Sequence, residues 1–199
     1  MIDKILNSIA SHQELSAFVK QADEQHSTPL HYAVYRRNYD AVKMLLEVDR
    51  SIAYMRDAKG MTALHIAAHK GNAMAMKQIL NYCPDCCELV DNRSWNAFHF
   101  AVNSSSDQAE NIVRIILNKP SLSNIFNEKD AKGDTPLHHY SKSLIYVKDL
   151  IDDDRVDKMA FNKDNLDAYD IVLNTKELSD EKVTQFYFIS HGFLFLSFP

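Results

Sequence analysis

Thr28-Pro-Leu-His-Tyr-Ala33 recurs in three later copies along this chain of 199 residues. The copies share a polar first residue, an apolar third residue and a histidine in fourth place: Thr62-Ala-Leu-His-Ile-Ala67, Asn96-Ala-Phe-His-Phe-Ala101 and Thr135-Pro-Leu-His-His-Tyr140. A weaker echo is Asp167-Ala-Tyr-Asp-Ile-Val172, and the five starts lie 34, 34, 39 and 32 residues apart. A period of this length indicates stacked structural repeats.

The motif predicts where a helix begins in each repeat. Its first residue is a typical helix N-cap, and Pro29 and Pro136 stand in the first turn, where a missing N–H costs nothing. Apolar residues at i, i+3 and i+4 predict a second helix within residues 41–46, 75–80, 112–117 and 146–151. Turns that project as fingers are predicted at residues 57–60, 91–94 and 130–133, each of which starts with Asp.

The period and the Thr-Pro-Leu-His pattern resemble the ankyrin repeat. The resemblance implies an all-α ankyrin-repeat solenoid of stacked helix-turn-helix units with β-turn fingers. Because one helix pair cannot bury its apolar face alone, the units are expected to stack into one domain over residues 1–178, followed by a hydrophobic tail over 179–199. The expected cap, four repeats and degenerate last repeat are residues 1–22, 23–56, 57–90, 91–129, 130–161 and 162–178.

Three residues depart from the repeat pattern. Arg37 stands where a Gly is expected between the two helices, Asn96 replaces the capping Thr, and Tyr140 replaces a small Ala. A side chain is unfavourable where the backbone needs a positive φ, and a large ring separates helices that an Ala would let approach. We expect these departures to loosen packing in the first, third and fourth units.

Longer phrases carry a narrower resemblance: Leu46-Glu-Val-Asp-Arg-Ser-Ile-Ala-Tyr54, Gly60-Met-Thr-Ala-Leu-His-Ile-Ala-Ala68, Cys83-Pro-Asp-Cys-Cys-Glu-Leu-Val90, Trp95-Asn-Ala-Phe-His-Phe-Ala101 and Val156-Asp-Lys-Met-Ala-Phe-Asn162. Over about residues 25–178 the chain resembles plant ankyrin-repeat proteins of the accelerated-cell-death type. That family joins cytosolic repeats to a C-terminal membrane domain and acts in defence signalling. The resemblance therefore implies a role in plant defence or stress signalling.

The family resemblance stops after Leu178, where a linker and membrane helices would follow. Residues 186–199 are instead a short aromatic stretch, below the roughly 20 apolar residues that span a bilayer. This tail caps the last repeat, lies on a membrane surface, or is the non-native end of a truncated or spliced form. We favour truncation, and the alternative function is a membrane-associated signalling protein anchored through the tail.

Composition excludes several classes of function. A formal net charge of −5 and a pI near 6.0 are not those of a nucleic-acid-binding protein, which is typically basic. Cys83, Cys86 and Cys87 lie too close together to form a disulfide framework, and the N-terminus lacks a secretory signal. We expect a cytoplasmic protein, with peripheral membrane association as the alternative.

No residue pattern favours catalysis. His31, His65, His99 and His138 recur once per repeat, as structural histidines would, and no phosphate loop, nucleophile elbow or zinc helix is present. The spacing of Cys83 and Cys86 could supply two zinc ligands, but a closed site needs four, so burial as small apolar groups is the simpler interpretation. We expect no enzymatic activity, no cofactor and no metal.

The repeat register assigns residues to the fingers and the concave face, where ankyrin repeats bind partners. Twenty such positions include six bases and only two acids, Glu24 and Asp134, so this face is predicted to be basic. We expect an acidic protein or peptide partner, with Arg93 and Trp95 as anchors; the alternative is that these bases only keep the surface soluble. The predicted partner-binding residues are Tyr35, Arg36, Lys59, Met61, His69, Lys70, Arg93, Trp95, Lys132 and Lys142.

Overall fold

The computed structural model describes residue 11, residues 13–175 and residues 178–191. These residues form helices and turns without any β-strand, which confirms the predicted all-α class. The α-helices, beyond a helical segment at residues 13–19, are α1 Pro29–Tyr35, α2 Tyr39–Val48, α3 Ala63–His69, α4 Ala73–Tyr82, α5 Ala97–Val102, α6 Ala109–Leu117, α7 Pro136–Lys142, α8 Lys148–Asp152, α9 Ala168–Asn174 and α10 Asp180–His191. Short 3₁₀ helices follow three of the second helices, at Arg50–Tyr54, Pro84–Glu88 and Pro120–Ile125.

The helices stack in two layers. The first helices of successive pairs, α1, α3, α5, α7 and α9, contact one another in chain order. The second helices, α2, α4, α6, α8 and α10, form a parallel layer behind them with the same neighbour order. The chain is therefore a one-dimensional stack in which each unit contacts the units before and after it.

The core lies between the two layers and continues from unit to unit. Leu30, Leu64, Phe98 and Leu137, the apolar residues in third place of the motif, are 0–1% exposed, as the sequence predicts. On the second helices, residues such as Leu46 and Ile79 close the core from behind. Burial of each large aliphatic side chain contributes about 1.5–3 kcal/mol, so stability is distributed along the stack.

Each unit begins with the same finger turn. The first residue of the turn accepts backbone hydrogen bonds from the residues two and four places on; Asp57, for example, accepts from the amides of Lys59 and Met61 at 2.9 and 2.8 Å. The fourth residue has a positive φ in every finger: His26, Gly60, Ser94, Gly133 and Asn165. Neighbouring fingers are joined through backbone bonds such as Ala58 N–H to the Gln25 carbonyl at 2.9 Å.

Two of the three expected packing defects are absent. Asn96 caps α5 fully, since its Oδ1 accepts from the amides of Phe98 and His99 and its Nδ2 donates to the Ile125 carbonyl at 2.9 Å. Tyr140 is completely buried. Its ring fills the space that an Ala would leave empty, and the ring centre lies 6.0 Å from that of Phe186 on α10. Arg37 does adopt φ +57°, the conformation of Gly71 in the next unit.

The predicted boundary between repeats and tail, at Leu178, does not match the stack. Residues 180–191 form α10, which takes the place of the second helix in the fifth unit and packs on α8 and α9. The sequence hides this role because a lysine, Lys182, occupies a core position and breaks the apolar spacing. Of the expected tail, residues 192–199 lie outside the described residues. Within the part that is described, no helix combines the length and apolar character needed to cross a membrane.

Candidate protein-binding groove

The fingers and the ends of the first helices border two adjoining clefts, which we call the finger groove. The first cleft has a volume of about 430 Å³ and lies between the first and third units. The second, of about 540 Å³, lies between the third and fourth units. Arg93, Trp95 and Asn103 line both clefts and form the ridge between them.

Nine of the ten predicted partner-binding residues line this groove. Arg36, the tenth, is exposed at the C-terminal end of α1 and lines neither cleft. The first cleft contains Tyr35, Lys59, Met61, His69 and Lys70, and the second contains Lys132 and Lys142. The ridge residues Arg93 and Trp95 complete the set.

Arg93 is held in place at the ridge. Its guanidinium carbon lies 3.9 Å from the centre of the Trp95 ring and 5.2 Å from that of Phe100. Its Nε donates to Asp91 Oδ2 at 2.8 Å, and the Asp91 carboxylate is itself almost fully buried. The guanidinium is therefore positioned for a partner at little further entropic cost.

Trp95 is less exposed than a free finger aromatic would be. It is half-buried, its Nε1 donates to Asp130 Oδ2 at 2.9 Å, and its ring packs 4.5 Å from that of His139. Trp95 thus connects the third and fourth units as well as lining the groove. Its substitution would disturb the stack, so it is a poor first target for a binding test.

The lysines of the groove differ in how they are paired. Lys142 Nζ lies 3.2 Å from Asp134 Oδ2. Lys59, Lys70 and Lys132 are exposed and form no ion pair with any described residue, and Lys70 instead lies over the Tyr35 ring at 5.1 Å. Three positive charges of this face therefore have no ion-pair partner among the residues that the structure describes.

The second cleft has a hydrogen-bonded floor. Asp130, Asp134 and His139 bring three possible metal ligands within 4.8 Å, the one such group among the described residues. Asp130 already accepts from Trp95, from His139 at 2.9 Å and from two backbone amides, while Asp134 accepts from Asn162 and Lys142. These carboxylate oxygens all have donors, so the group forms a hydrogen-bonded network that joins the third, fourth and fifth units.

Burial favours the neutral form of two histidines of the groove. Burial lowers the pKa of His139, although hydrogen bonding to Asp130 and the charge of that carboxylate oppose the shift. Burial also lowers the pKa of His69, and the nearby positive charges of Lys70 and Arg93 add to the effect. The positive charge of the groove near neutral pH therefore comes from its lysines and arginine.

Comparison with known families agrees with this geometry. A profile for ankyrin repeats in three copies matches residues 48–126, and a single ankyrin-repeat profile matches residues 25–54. This chain is an ankyrin-repeat protein. No curated protein matches it. The ankyrin fold is typically a non-enzymatic protein-interaction domain, so the finger groove is considered below as a protein-binding surface.

The recurring histidines are structural parts of the ankyrin units, as predicted. In the first unit, His31 Nδ1 accepts from the Thr28 amide at 3.1 Å, so the proton resides on Nε2, which donates to the Met61 carbonyl of the second unit at 3.1 Å. His65, His99 and His138 repeat this arrangement with carbonyls of Leu89, Asp134 and Leu166. The rings of His31, His99 and His138 thereby link two ankyrin repeats, whereas His65 bonds the end of its own repeat, just before the next finger.

The cysteine cluster lies on the opposite layer, after α4. Cys83, Cys86 and Cys87 are at most 2% exposed, in keeping with the predicted burial as small apolar groups. Burial raises the pKa of all three thiols, that of Cys87 to about 11. Thiols of this kind stay protonated at neutral pH and are therefore weak nucleophiles.

Sequence reasoning missed part of the groove lining. Ile66, Phe100 and His139 line the clefts, yet none was assigned to the binding face. All three occupy the variable fifth position of the repeated motif, directly after the structural histidine. The sequence does indicate this role. The fifth position of the motif varies between units while its neighbours recur, so it is not constrained by the repeat structure and can be adapted to a partner.

Proposed function

We propose that this ankyrin-repeat protein binds an acidic segment of another protein through the finger groove. The observation that carries the proposal is the set of three exposed lysines, Lys59, Lys70 and Lys132, that form no ion pair within the described part of the chain and lie beside the Arg93–Trp95 ridge. The chain as a whole carries a formal net charge of −5. A positive groove on a negative protein attracts an acidic partner and repels a basic one.

The arrangement of the bases argues against a purely solubilising role. Bases that only keep a surface soluble are usually interspersed with acids of opposite sign. In the first cleft, Lys59 and Lys70 face a single lining acid, Asp57, whose carboxylate is occupied by the backbone of its own finger, while Arg93 is paired with Asp91. The two lysines without a paired acid support a binding role for this cleft.

The cellular role is proposed from the resemblance to plant proteins of the accelerated-cell-death type. We infer that the module recruits its partner in cytoplasmic defence or stress signalling. The second candidate is a membrane-associated form, favoured by the apolar sequence Phe193-Leu-Phe-Leu-Ser-Phe198. Co-sedimentation with anionic vesicles separates the cytoplasmic from the membrane-associated form. The full chain is compared with a chain that ends at His191, and loss of sedimentation on shortening supports the membrane-associated form.

Acidic-partner binding is tested with a labelled peptide of alternating Glu and Gly and a triple variant, Lys59→Gln, Lys70→Gln and Lys132→Gln. Each exposed charge pair contributes about 0.2–1 kcal/mol, so we expect roughly ten-fold weaker binding by fluorescence anisotropy. The matched control is Lys43→Gln, Lys77→Gln and Lys119→Gln, which removes the same charge from the second-helix layer. Equal weakening by the control would reject the groove as the binding site.

A further inference from the structure

The two clefts of the finger groove differ in chemistry. The second cleft is floored by the polar network of Asp130, Asp134 and His139. The first cleft is instead lined by the apolar side chains of Met61, Ile66, Phe100, Tyr35 and Trp95. A cleft of this size, about 430 Å³, falls at the small end of ligand pockets and suits one or two side chains of a partner.

The apolar lining of the first cleft is only partly covered by the protein itself. Met61, Ile66 and Trp95 pack against the core with one side and remain partly exposed, and Tyr35 is 55% exposed. Phe100 lies deeper, at 3% exposure, and forms the base next to the ridge. Covering such a surface with an apolar side chain of a partner removes it from water.

The cations lie at both ends of this apolar lining. Towards the first unit, Lys70 stands over the Tyr35 ring at 5.1 Å. Towards the third unit, Arg93 stands over the rings of Trp95 and Phe100. Lys59, on the second finger, adds a third charge at the rim.

We propose that the first cleft recognises an acidic segment in which one large apolar side chain is flanked on both sides by carboxylates. The apolar side chain packs on Met61, Ile66 and Phe100. The carboxylates before and after it pair with the cations at the two ends of the cleft. The inference rests on the proposed function and narrows it from an acidic partner to an acidic segment with an apolar anchor.

Three labelled peptides test the inference with the full chain. The first is acetyl-Gly-Ser-Glu-Asp-Glu-Phe-Glu-Asp-Glu-Ser-Gly-amide; the second has Ser in place of Phe; the third keeps Phe and has Gln and Asn in place of Glu and Asp. Dissociation constants are measured by fluorescence anisotropy. We expect the first peptide to bind at least about ten-fold more tightly than either of the others, since each lacks one of the two features.

A variant of the cleft gives a second, independent readout. Met61→Gln keeps the length of the side chain but makes it polar, and it should weaken the Phe peptide about five-fold while leaving the Ser peptide unchanged. Met44→Gln, at a position 64% exposed on α2, is the matched control and should change neither. Unchanged thermal unfolding of both variants establishes that the fold is intact.

The outcomes separate this inference from the proposed function. Equal affinity for the Phe and Ser peptides, both tighter than the uncharged one, overturns the apolar anchor while the acidic partner stands. Equal affinity for the Phe peptide and its uncharged counterpart overturns both, as does failure of every peptide to bind. The inference is also overturned if the Met61→Gln variant prefers the Phe peptide over the Ser peptide as strongly as the original chain does, because the apolar anchor then binds elsewhere.

Discussion

At the scale of one residue, Arg37 shows how a repeat accommodates a non-glycine residue at a position with a positive φ. It has φ +57° at the end of α1, where the second unit has Gly71 at φ +65°. A residue with a Cβ in this left-handed region costs roughly 1–2 kcal/mol. Arg37 recovers part of that cost because its Nη2 donates to the Lys70 carbonyl of the next unit at 2.7 Å.

Relief of the strain at Arg37 should be measurable with two variants. Arg37→Gly and Arg37→Ala both remove the bond to Lys70, but only the glycine variant removes the Cβ from the left-handed conformation. We expect the glycine variant to be more stable than the alanine variant by about 1 kcal/mol in the free energy of urea unfolding. Equal stability of the two would show that the positive φ carries no strain at this position.

At the scale of an element, α10 is held on the stack by one unusual residue. Lys182 is 1% exposed, and its Nζ donates to the carbonyls of Tyr140, Ser143 and Ile145 at 2.5, 2.5 and 3.1 Å. It also lies 3.9 Å from the centre of the Tyr140 ring. Burial lowers the pKa of Lys182 to about 7, whereas these carbonyl acceptors favour its ammonium form. Lys182, on the second helix of the fifth unit, therefore caps the C-terminal end of α7 in the fourth unit.

Removing the lysine donor should loosen α10. Lys182→Met keeps most of the buried volume but leaves the carbonyls of Tyr140, Ser143 and Ile145, in and just after the last turn of α7, without this donor, which costs about 2 kcal/mol of unfolding free energy. We expect residues 180–191 of this variant to be cleaved faster by a protease than in the original chain. Mass spectrometry of the fragments over time measures the rate. Thr184→Ala, at an exposed position on the same helix, is the control and should cleave at the original rate. An unchanged cleavage rate for Lys182→Met would contradict the capping role.

At the scale of the whole molecule, the sequence predicted what repeats and missed what occurs once. The motif located α1, α3, α5 and α7 and the fingers, because local rules of capping and turn formation repeat in each unit. Asn96 was misjudged although its capping partners are local, since Asn is as good a helix N-cap as Thr. Tyr140 was misjudged because its partner Phe186 is distant in sequence. The fifth unit was cut short for the same reason, since the contacts of Lys182 lie 37–42 residues before it.

The repeated histidines join the units into one stack and make its stability depend on pH. Burial lowers the pKa of His65 and His99 to about 4, from the usual 6.5 of histidine, and also lowers that of His31. In each case hydrogen bonding to a backbone carbonyl opposes the shift but does not cancel it. The neutral ring fits the native site, with its Nε2 proton bonded to a backbone carbonyl: Met61 for His31, Leu89 for His65 and Asp134 for His99.

The pH dependence has a definite sign. A histidine with a lowered native pKa stabilises the fold fully above pH 6.5, and this contribution is lost as the pH falls towards 4, because the unfolded chain binds the proton first. His65→Gln removes one such group, so its stability deficit relative to the original chain should shrink by about 2–3 kcal/mol between pH 7 and pH 4.5. Urea unfolding at a series of pH values measures the deficit directly, and His31→Gln should show the same sign. A deficit that stays constant across this range would mean that His65 binds its proton equally in the folded and unfolded chains, and the histidine links would then contribute no pH dependence.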